Sequence, residues 1–187
     1  MRSPGAPACG QAVSLSGSSS CSTPQVPPCK FGNCADQTTK NILTEAGEPF
    51  YGPDFKFVSG KDDVIRTGTA GYIMAVGDCI YRALDAVVKL KKAGIDVGLI
   101  AKSTLNVIDE ESIQLAGKSP FLLIIEPLNV KTGIASKYGS ELLKRGLSPK
   151  FDNIGIYREG SGGLWEHAYH QGYDSESVQA KVKSMVA

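Results

Sequence analysis

From Val58 onward, short apolar runs alternate along the chain with segments of helical spacing. The runs at 72–76 and 121–125 have the length of strands, and their continuous apolarity is typical of strands buried on both faces of a sheet. In the segments between them, apolar residues recur every three or four positions, as on one face of a helix. This alternation predicts an α/β fold with a mostly parallel sheet.

Terminal residues indicate where four helices begin and end. Asp78 is a favourable N-cap for the first helix, and Gly94 is a typical stop after its lysine-rich last turn. A short helix with an acidic first turn is predicted over 109–117, a longer one over 131–144 and a last one over 174–186. The first and last helices carry apolar stripes that should pack on the sheet.

Two further strands complete the predicted sheet. Residues 95–101 have the pattern of a second parallel strand, and residues 153–157 form a shorter one. The strand at 121–125 is apolar on both faces and belongs in the interior of the sheet. We expect Glu126 and Pro127 to end it.

The first 57 residues follow neither pattern. Residues 1–40 are rich in serine, proline, glycine and cysteine, a composition that does not repay the entropy of ordering, so we predict a low-complexity, disordered tail. Glycine and proline turn signals stand among aromatic residues at 41–57, which predicts an irregular arm or linker lying on a neighbouring surface. The folded domain is expected over 58–187.

Four of the five cysteines fall in the predicted tail. They are separated by eleven, seven and four residues, which matches none of the paired C-x-x-C patterns of zinc sites. Two interpretations follow: unpaired thiols in a reducing compartment, or a metal or disulfide cluster. The four residues are Cys9, Cys21, Cys29 and Cys34.

Charge and hydropathy exclude two classes of partner. The chain carries 20 lysine and arginine residues against 19 acidic residues, so no net field attracts it to nucleic acid or to an anionic membrane. Its longest apolar runs are far shorter than the roughly 20 residues of a membrane span. No secretory signal is evident, and a serine-rich start without acidic residues before Asp36 is a weak feature of an organelle transit peptide. We therefore expect a cytoplasmic protein.

Two glycine-containing turns resemble nucleotide sites but lack the features that such sites need. A dinucleotide fingerprint has three glycines, and only Gly77 is present after the first strand. Asp78 places a carboxylate at the helix N-terminus, where a phosphate would otherwise bind. The glycine-rich loop at 158–163 lacks the lysine and hydroxyl arrangement of a P-loop. We interpret the first turn as a structural corner and the second as a flexible connection.

The two histidines of the chain stand three residues apart in the sequence E-H-x-x-H and share one helix face. This order is not the H-E-x-x-H of zinc proteases and no third ligand is evident, so we predict neither a metal site nor a catalytic residue here. Aromatic and histidine side chains near this position are of the type enriched in interfaces, and we expect them to be exposed. The candidate interface residues are Leu164, Trp165, His167, His170 and Tyr173.

A small-molecule pocket at the carboxyl ends of the strands is a further hypothesis, because open α/β sheets bind ligands there. Pairing of Cys79 with a histidine base is not favoured, since thiols at such a position are more often buried small hydrophobes. The candidate pocket residues are Gly77, Cys79, Ser103 and Glu126.

The order of these elements resembles one known family. The stretch at 63–113, DVIRTGTAGYIMAVGDCIYRALDAVVKLKKAGIDVGLIAKSTLNVIDEESI, is similar to the start of the C-terminal domain of transketolase-type thiamine diphosphate enzymes. Within this stretch, TLNVID at 104–109 resembles the family's T-I-K-P-L-D. Further along the chain, the third strand ends in Glu126, as in the family. GYD at 172–174 resembles the G-[FIY]-D that precedes the final helix. The C-terminal domains of 2-oxoacid dehydrogenase decarboxylase beta subunits are similar as well.

This resemblance implies a three-layer open sheet, mostly parallel with one antiparallel edge strand and with helices on both faces. It implies an assembly domain of a thiamine diphosphate-dependent enzyme. Nothing in the chain resembles the domains that hold the cofactor and its divalent metal, so we expect this chain alone to bind neither and not to be catalytic. The implied partners are further copies of the chain or a catalytic, thiamine diphosphate-binding chain.

One departure from the family lies after the third strand. The family commonly follows the acidic residue with another acid and a histidine, whereas Pro127, Leu128 and Asn129 stand here. A second hypothesis for the function is a non-enzymatic protein-binding or regulatory module on the same fold, which would act through the candidate interface residues.

Overall fold

The computed structural model of the protein describes residues 42–159 and 164–187. The predicted tail with its four cysteines therefore lies outside the described residues, as does most of the glycine-rich loop at 158–163. Five strands in the described residues form one sheet. They are β1 (Asp63–Arg66), β2 (Gly71–Val76), β3 (Val97–Lys102), β4 (Phe121–Asn129) and β5 (Lys150–Ile156).

The strands lie in the order β1-β3-β2-β4-β5. β1 runs antiparallel to β3, and the other neighbouring pairs are parallel. In the middle of the sheet, Tyr72 of β2 is in register with Gly98 of β3 on one side and with Leu122 of β4 on the other. The prediction of a mostly parallel sheet with one antiparallel edge strand is confirmed.

Helices cover both faces of the sheet, so the domain has three layers. In the described residues they are α1 (Cys79–Lys92), α2 (Glu110–Gly117), α3 (Ile134–Lys144), α4 (Leu164–Gln171) and α5 (Ser175–Val186). Ile73 of β2 belongs to the core beneath α1, α4 and α5, whereas its neighbour Met74 belongs to the core beneath α2 and α3. The alternation follows from the two-residue period of a strand. No helix in these two ranges is long and apolar enough to cross a membrane.

Three of the predicted helix ends are confirmed in detail. Gly94 follows α1 with a φ of 83°, a left-handed conformation that suits glycine. The Asp109 carboxylate caps α2 by accepting a hydrogen bond from the amide of Glu111. The Asp174 carboxylate caps α5 through the amides of Glu176 and Ser177, both at 3.1 Å. These side chains satisfy N–H groups that have no partner within the helix.

β4 continues beyond Glu126 to Asn129, so the predicted end of this strand at Glu126 and Pro127 is wrong. Its register with β5 shifts between Ile125 and Asn129. Pro127 therefore falls where the ladder is irregular, and its missing N–H removes no regular ladder hydrogen bond.

β5 forms the edge of the sheet opposite to β1. Just past its end, the side-chain oxygen of Gln171 accepts hydrogen bonds from the amides of Tyr157 at 3.0 Å and Arg158 at 3.1 Å. The side-chain amide of Gln171 donates to the carbonyl oxygen of Arg158 at 3.0 Å. Along β5 itself, Asp152 pairs with Lys181 of α5. Gln171 therefore occupies backbone groups just past β5 that an added strand could otherwise bind.

The arm, residues 42–57, lies on the domain itself. It contains neither a helix nor one of the five strands. Ile42 is buried in the core beneath α1, and the Glu45 carboxylate pairs with Lys91 at the end of that helix at 2.7 Å. The arm is thus anchored by an apolar contact and by an ion pair rather than by a strand ladder.

Candidate functional site

The carboxyl ends of the parallel strands β2, β3 and β4 lie at the same end of the sheet. Gly77 is exposed in the turn after β2, with a φ of 57° that favours glycine. Cys79 is fully buried at the start of α1, and burial raises the pKa of its thiol, an effect to which the nearby Asp78 carboxylate adds. A buried neutral thiol is a poor nucleophile, which agrees with the interpretation of Cys79 as a small hydrophobe.

Glu126 is fully buried in β4, and its carboxylate binds the start of α3. Oε2 accepts a hydrogen bond from the amide of Ile134 at 2.6 Å, and Oε1 accepts one from the amide of Ala135 at 3.1 Å. The carboxylate thus satisfies two amides that have no partner within the helix, at the end where the helix dipole favours negative charge. This contact explains why α3 begins at Ile134 and not at 131 as predicted.

Ser103 follows β3 and connects this strand to β1 and the arm. Its hydroxyl donates to Asp63 Oδ2 at 3.0 Å, and the Tyr51 hydroxyl of the arm donates to the same oxygen at 3.0 Å. Burial raises the pKa of Tyr51, and Asp63 raises it further, so this hydroxyl keeps its proton. Of the four candidate pocket residues, Cys79 and Glu126 lie inside the protein, while Gly77 and Ser103 lie at its surface. A pocket formed by them stays a prediction.

Asp78 does not cap α1 with its side chain, contrary to the prediction. An N-cap side chain reaches the helix amides from an extended backbone, whereas Asp78 has a helical backbone with φ of −67° and ψ of −16°. Its carboxylate instead accepts a hydrogen bond from Nη1 of the buried Arg82 at 2.6 Å. The Arg82 guanidinium also stacks over the Tyr173 ring, 5.3 Å from its centroid.

The candidate interface residues do not form the exposed set that the sequence analysis expects. Tyr173 is only 2% exposed and belongs to the core beneath α1, so its prediction as an exposed residue is wrong. His167 is half-buried, with its ring 5.9 Å from that of Tyr173. His170 is also half-buried, and its Nε2 contacts the carbonyl oxygen of Glu159 at 3.1 Å. The side chains of Leu164 and Trp165 lie outside the described residues.

A buried polar cluster near the end of β3 is not predicted by sequence reasoning. Lys102 Nζ lies 2.6 Å from Asp62 Oδ1, and neither side chain has any exposed surface. The other Asp62 oxygen accepts hydrogen bonds from the hydroxyls of Ser112 at 2.5 Å and Tyr138 at 3.1 Å. Burial and the Asp62 charge raise the pKa of Tyr138, so it stays a proton donor. The Asp62 carboxylate therefore joins β3, α2 and α3.

The same cluster fixes the loop at 103–109. Lys102 Nζ donates to the carbonyl oxygen of Val107 at 2.6 Å, and the amide of Asp62 donates to Asp109 Oδ2 at 3.0 Å. Burial alone would raise the pKa of Asp109, but the Asp62 amide and the Lys61 ammonium hold it below its usual value. The loop is therefore bound to the end of β3 through Val107 and to the segment that precedes β1 through Asp109.

A groove of about 640 Å³ lies at the other side of the molecule, between β5 and α5. Asn153 and Gly155 contribute from β5, and Ser177, Lys181 and Ser184 contribute from α5. None of the candidate pocket residues lines this groove.

The described residues do not fit a metal ion with a bound diphosphate. In the two described ranges, no group of three or more histidine, cysteine, aspartate or glutamate side chains is arranged to hold a metal ion. The carboxylates nearest the strand ends have other roles, since Glu126 binds helix amides and Asp62 binds Lys102. The described residues form no binding site for the cofactor that the family resemblance implies for a complete enzyme.

Comparison with known proteins gives a consistent result. The family model described as "Transketolase, C-terminal domain" matches residues 60–178. One of the subunits of apulose-4-phosphate transketolase from Actinobacillus succinogenes is 28% identical over 129 residues, which are 67% of this chain and 42% of that protein. 1-Deoxy-D-xylulose-5-phosphate synthase 1 of Geobacter metallireducens is 24% identical over 134 residues, 68% of this chain and 21% of that protein.

A solved structure with the same fold is described as a split gene transketolase, an inactive beta4 tetramer. It superimposes with a TM-score of 0.67 at 22% sequence identity, and the match covers 73% of this chain and 45% of that one. The chain thus spans less than half the length of each of these three proteins.

Proposed function

Because the chain belongs to the family of transketolase C-terminal domains, we propose that it is the assembly domain of a thiamine diphosphate-dependent enzyme and has no catalytic activity alone. The observation that carries the proposal is the extent of the family match, which at 60–178 includes all five strands of the sheet. The match is to the C-terminal domain, whereas the family resemblance implies that other domains bind the cofactor.

The use of the polar groups at the strand ends supports this proposal. A catalytic centre needs side chains that can reach a substrate or cofactor. Here Glu126 is fully buried and bound to helix amides, Lys102 is fully buried and bound to Asp62, and the Cys79 thiol is buried with a raised pKa. These groups hold the fold together.

A thiamine diphosphate-binding polypeptide would then complete the enzyme. The Actinobacillus relative is named as one of the subunits of a transketolase, which supports a division of the enzyme into chains. The description of the similar solved structure as a beta4 tetramer supports association of like chains. We propose both kinds of contact for this chain, and a cytoplasmic location.

Calorimetric titration of the full chain with thiamine diphosphate and Mg²⁺ tests the proposal. We expect that the chain alone neither binds the cofactor saturably nor catalyses ketol transfer. Cofactor binding and ketol transfer should both appear when the thiamine-binding polypeptide is added. A full-length transketolase titrated under the same conditions is the positive control. Saturable binding of the cofactor by this chain alone would contradict the proposal.

A further inference from the structure

The groove between β5 and α5 has the size of a small-molecule site. Its volume of about 640 Å³ falls within the roughly 300–1,000 Å³ that such sites occupy. Its lining combines apolar surface with a few polar side chains, as is usual for a ligand site. Val130, Ile154 and Ala180 supply the apolar surface, and Asn153, Tyr157 and Lys181 supply polar groups.

Tyr157 is an aromatic residue of the groove that is held on a rigid support. Its amide donates to the buried Gln171 side chain at 3.0 Å, and the Arg158 guanidinium stacks over its ring, 4.8 Å from the centroid. Arg158 covers one face of the ring, and Tyr157 is still 54% exposed. Because the ring is oriented before a ligand arrives, packing on it costs little side-chain entropy.

The charge that lines the groove is already compensated. Lys181 of α5 pairs with Asp152 of β5, and the two side chains are only 35% and 40% exposed. An anionic ligand would have to compete with Asp152 for the ammonium group. A neutral ligand avoids this cost, because an ammonium has three N–H donors and the ion pair leaves others available. The groove is therefore suited to an uncharged ligand.

The other polar groups of the groove include both donors and acceptors. Asn153 Nδ2 donates to the carbonyl oxygen of Val130 at 3.3 Å, while its side-chain oxygen has no donor among the described residues. The hydroxyls of Ser177 and Ser184, which also line the groove, donate to acceptors within the fold, and their oxygens can still accept. Hydroxyl groups on a ligand both donate and accept, so they match such a lining.

We propose that the groove between β5 and α5 binds a neutral, polyhydroxylated small molecule of the size of one or two sugar rings. The carbon-bound face of the ligand packs on Tyr157 and Ala180, and its hydroxyls bind Lys181 and Asn153. The site is separate from the candidate pocket at the strand ends, none of whose residues line the groove. The proposal is independent of the proposed assembly role.

Titration of the ¹⁵N-labelled full chain with D-ribose, D-glucose and maltose, followed by NMR, tests the proposal. For at least one of these sugars we expect saturable shifts of the amides at 153–157 and 177–184, with a dissociation constant below about 10 mM. Tyr157→Ala removes the packing surface and Lys181→Met removes a charged donor. Each should raise the dissociation constant about tenfold.

Matched controls come from residues outside the groove. Tyr169 is 72% exposed on α4 and Lys183 is exposed on α5, so Tyr169→Ala and Lys183→Met should leave the dissociation constant unchanged. Tyr157→Phe keeps the ring and should weaken binding less than about threefold. Circular dichroism shows whether each variant is folded.

Three results would overturn the proposal. The first is the absence of saturable shifts with all three sugars. The second is binding that Tyr157→Ala and Lys181→Met leave unchanged, or that the control variants weaken equally. The third is saturable binding of ribose 5-phosphate when none of the neutral sugars binds, because the groove would then recognise the phosphate charge and not the hydroxyl groups.

Discussion

Asp62 and Glu126 are two of the buried carboxylates of this domain, and they are stabilised in different ways. Asp62 faces a full opposite charge on Lys102 and two hydroxyl donors, on Ser112 and Tyr138. Among the described residues Glu126 has neither kind of partner and instead binds the amides of Ile134 and Ala135 at the start of α3. The first arrangement connects a loop, two helices and a strand, whereas the second connects one strand to one helix.

The difference shows that a helix start can stabilise a buried carboxylate without a cation. Helix amides are fixed donors that already lack partners, so Glu126 needs no second charged residue to be brought out of water. Lys102 and Asp62 each depend on the other, because either charge alone would be left buried without compensation. We therefore expect the Asp62 cluster to be the more vulnerable of the two.

Replacement of Lys102 by methionine should have the largest effect. The variant leaves Asp62 buried without its cation, and the free energy of unfolding should fall by about 3–5 kcal/mol. Urea denaturation followed by circular dichroism measures this loss. The double variant Asp62→Asn/Lys102→Met should lose less, because no uncompensated charge remains. A double variant no more stable than Lys102→Met would show that charge compensation is not the cause.

The Glu126 contact can be broken from the other side, by Gly133→Ala. The backbone of Gly133 is extended, with φ of −72° and ψ of −174°, so alanine causes no backbone strain there. Its Cβ would, however, overlap the Glu126 carboxylate. We expect a loss of about 1–3 kcal/mol in the same denaturation experiment.

Gly139→Ala is the matched control for this substitution. It lies within α3, and its Cβ would make an ordinary contact at 3.5 Å with the Phe151 ring. Alanine in a helix interior is favoured by roughly 0.5–1 kcal/mol over glycine, so this control should be at least as stable as the wild type. If Gly133→Ala is equally stable, the carboxylate can move without cost and the described contact is not important.

Glu126→Gln should have the smallest of the three effects. Glutamine keeps the size and one accepting oxygen, but its NH2 group cannot accept from the second helix amide, and the charge that interacts with the helix dipole is lost, so we expect a loss of about 1–2 kcal/mol. The free energy of unfolding from urea melts measures it. A loss as large as that of Lys102→Met would mean that the charge of Glu126 matters as much as the buried ion pair, and the contrast between the two carboxylates would disappear.

Sequence periodicity predicts most of the fold. The apolar runs at 72–76 and 121–125 are interior strands and helices begin just after Asp109 and Asp174, as expected. Both carboxylates accept hydrogen bonds from helix amides. Asp78 is also an aspartate, but its backbone is helical, and this keeps its carboxylate away from the amides at the start of α1. Local residue preference therefore indicates where a helix starts more reliably than how its amides are satisfied.

The contacts at the strand ends could not be predicted in the same way. Lys102 and Asp62 are forty residues apart, and no spacing rule connects a lysine at the end of one strand to an aspartate before another. The aromatic residues around Tyr173 in the sequence favour a surface position for it, but the short link between α4 and α5 turns it into the core. Only the fold brings such residues together.

The side chains at the β5 edge bear on how the protein behaves at high concentration. Gln171 binds the amides of Tyr157 and Arg158 just past β5, and Asp152 of β5 pairs with Lys181. Backbone groups that are already bound and charged side chains on an edge strand both disfavour the addition of another strand. We therefore expect this edge to resist the strand-to-strand stacking that leads to fibrils.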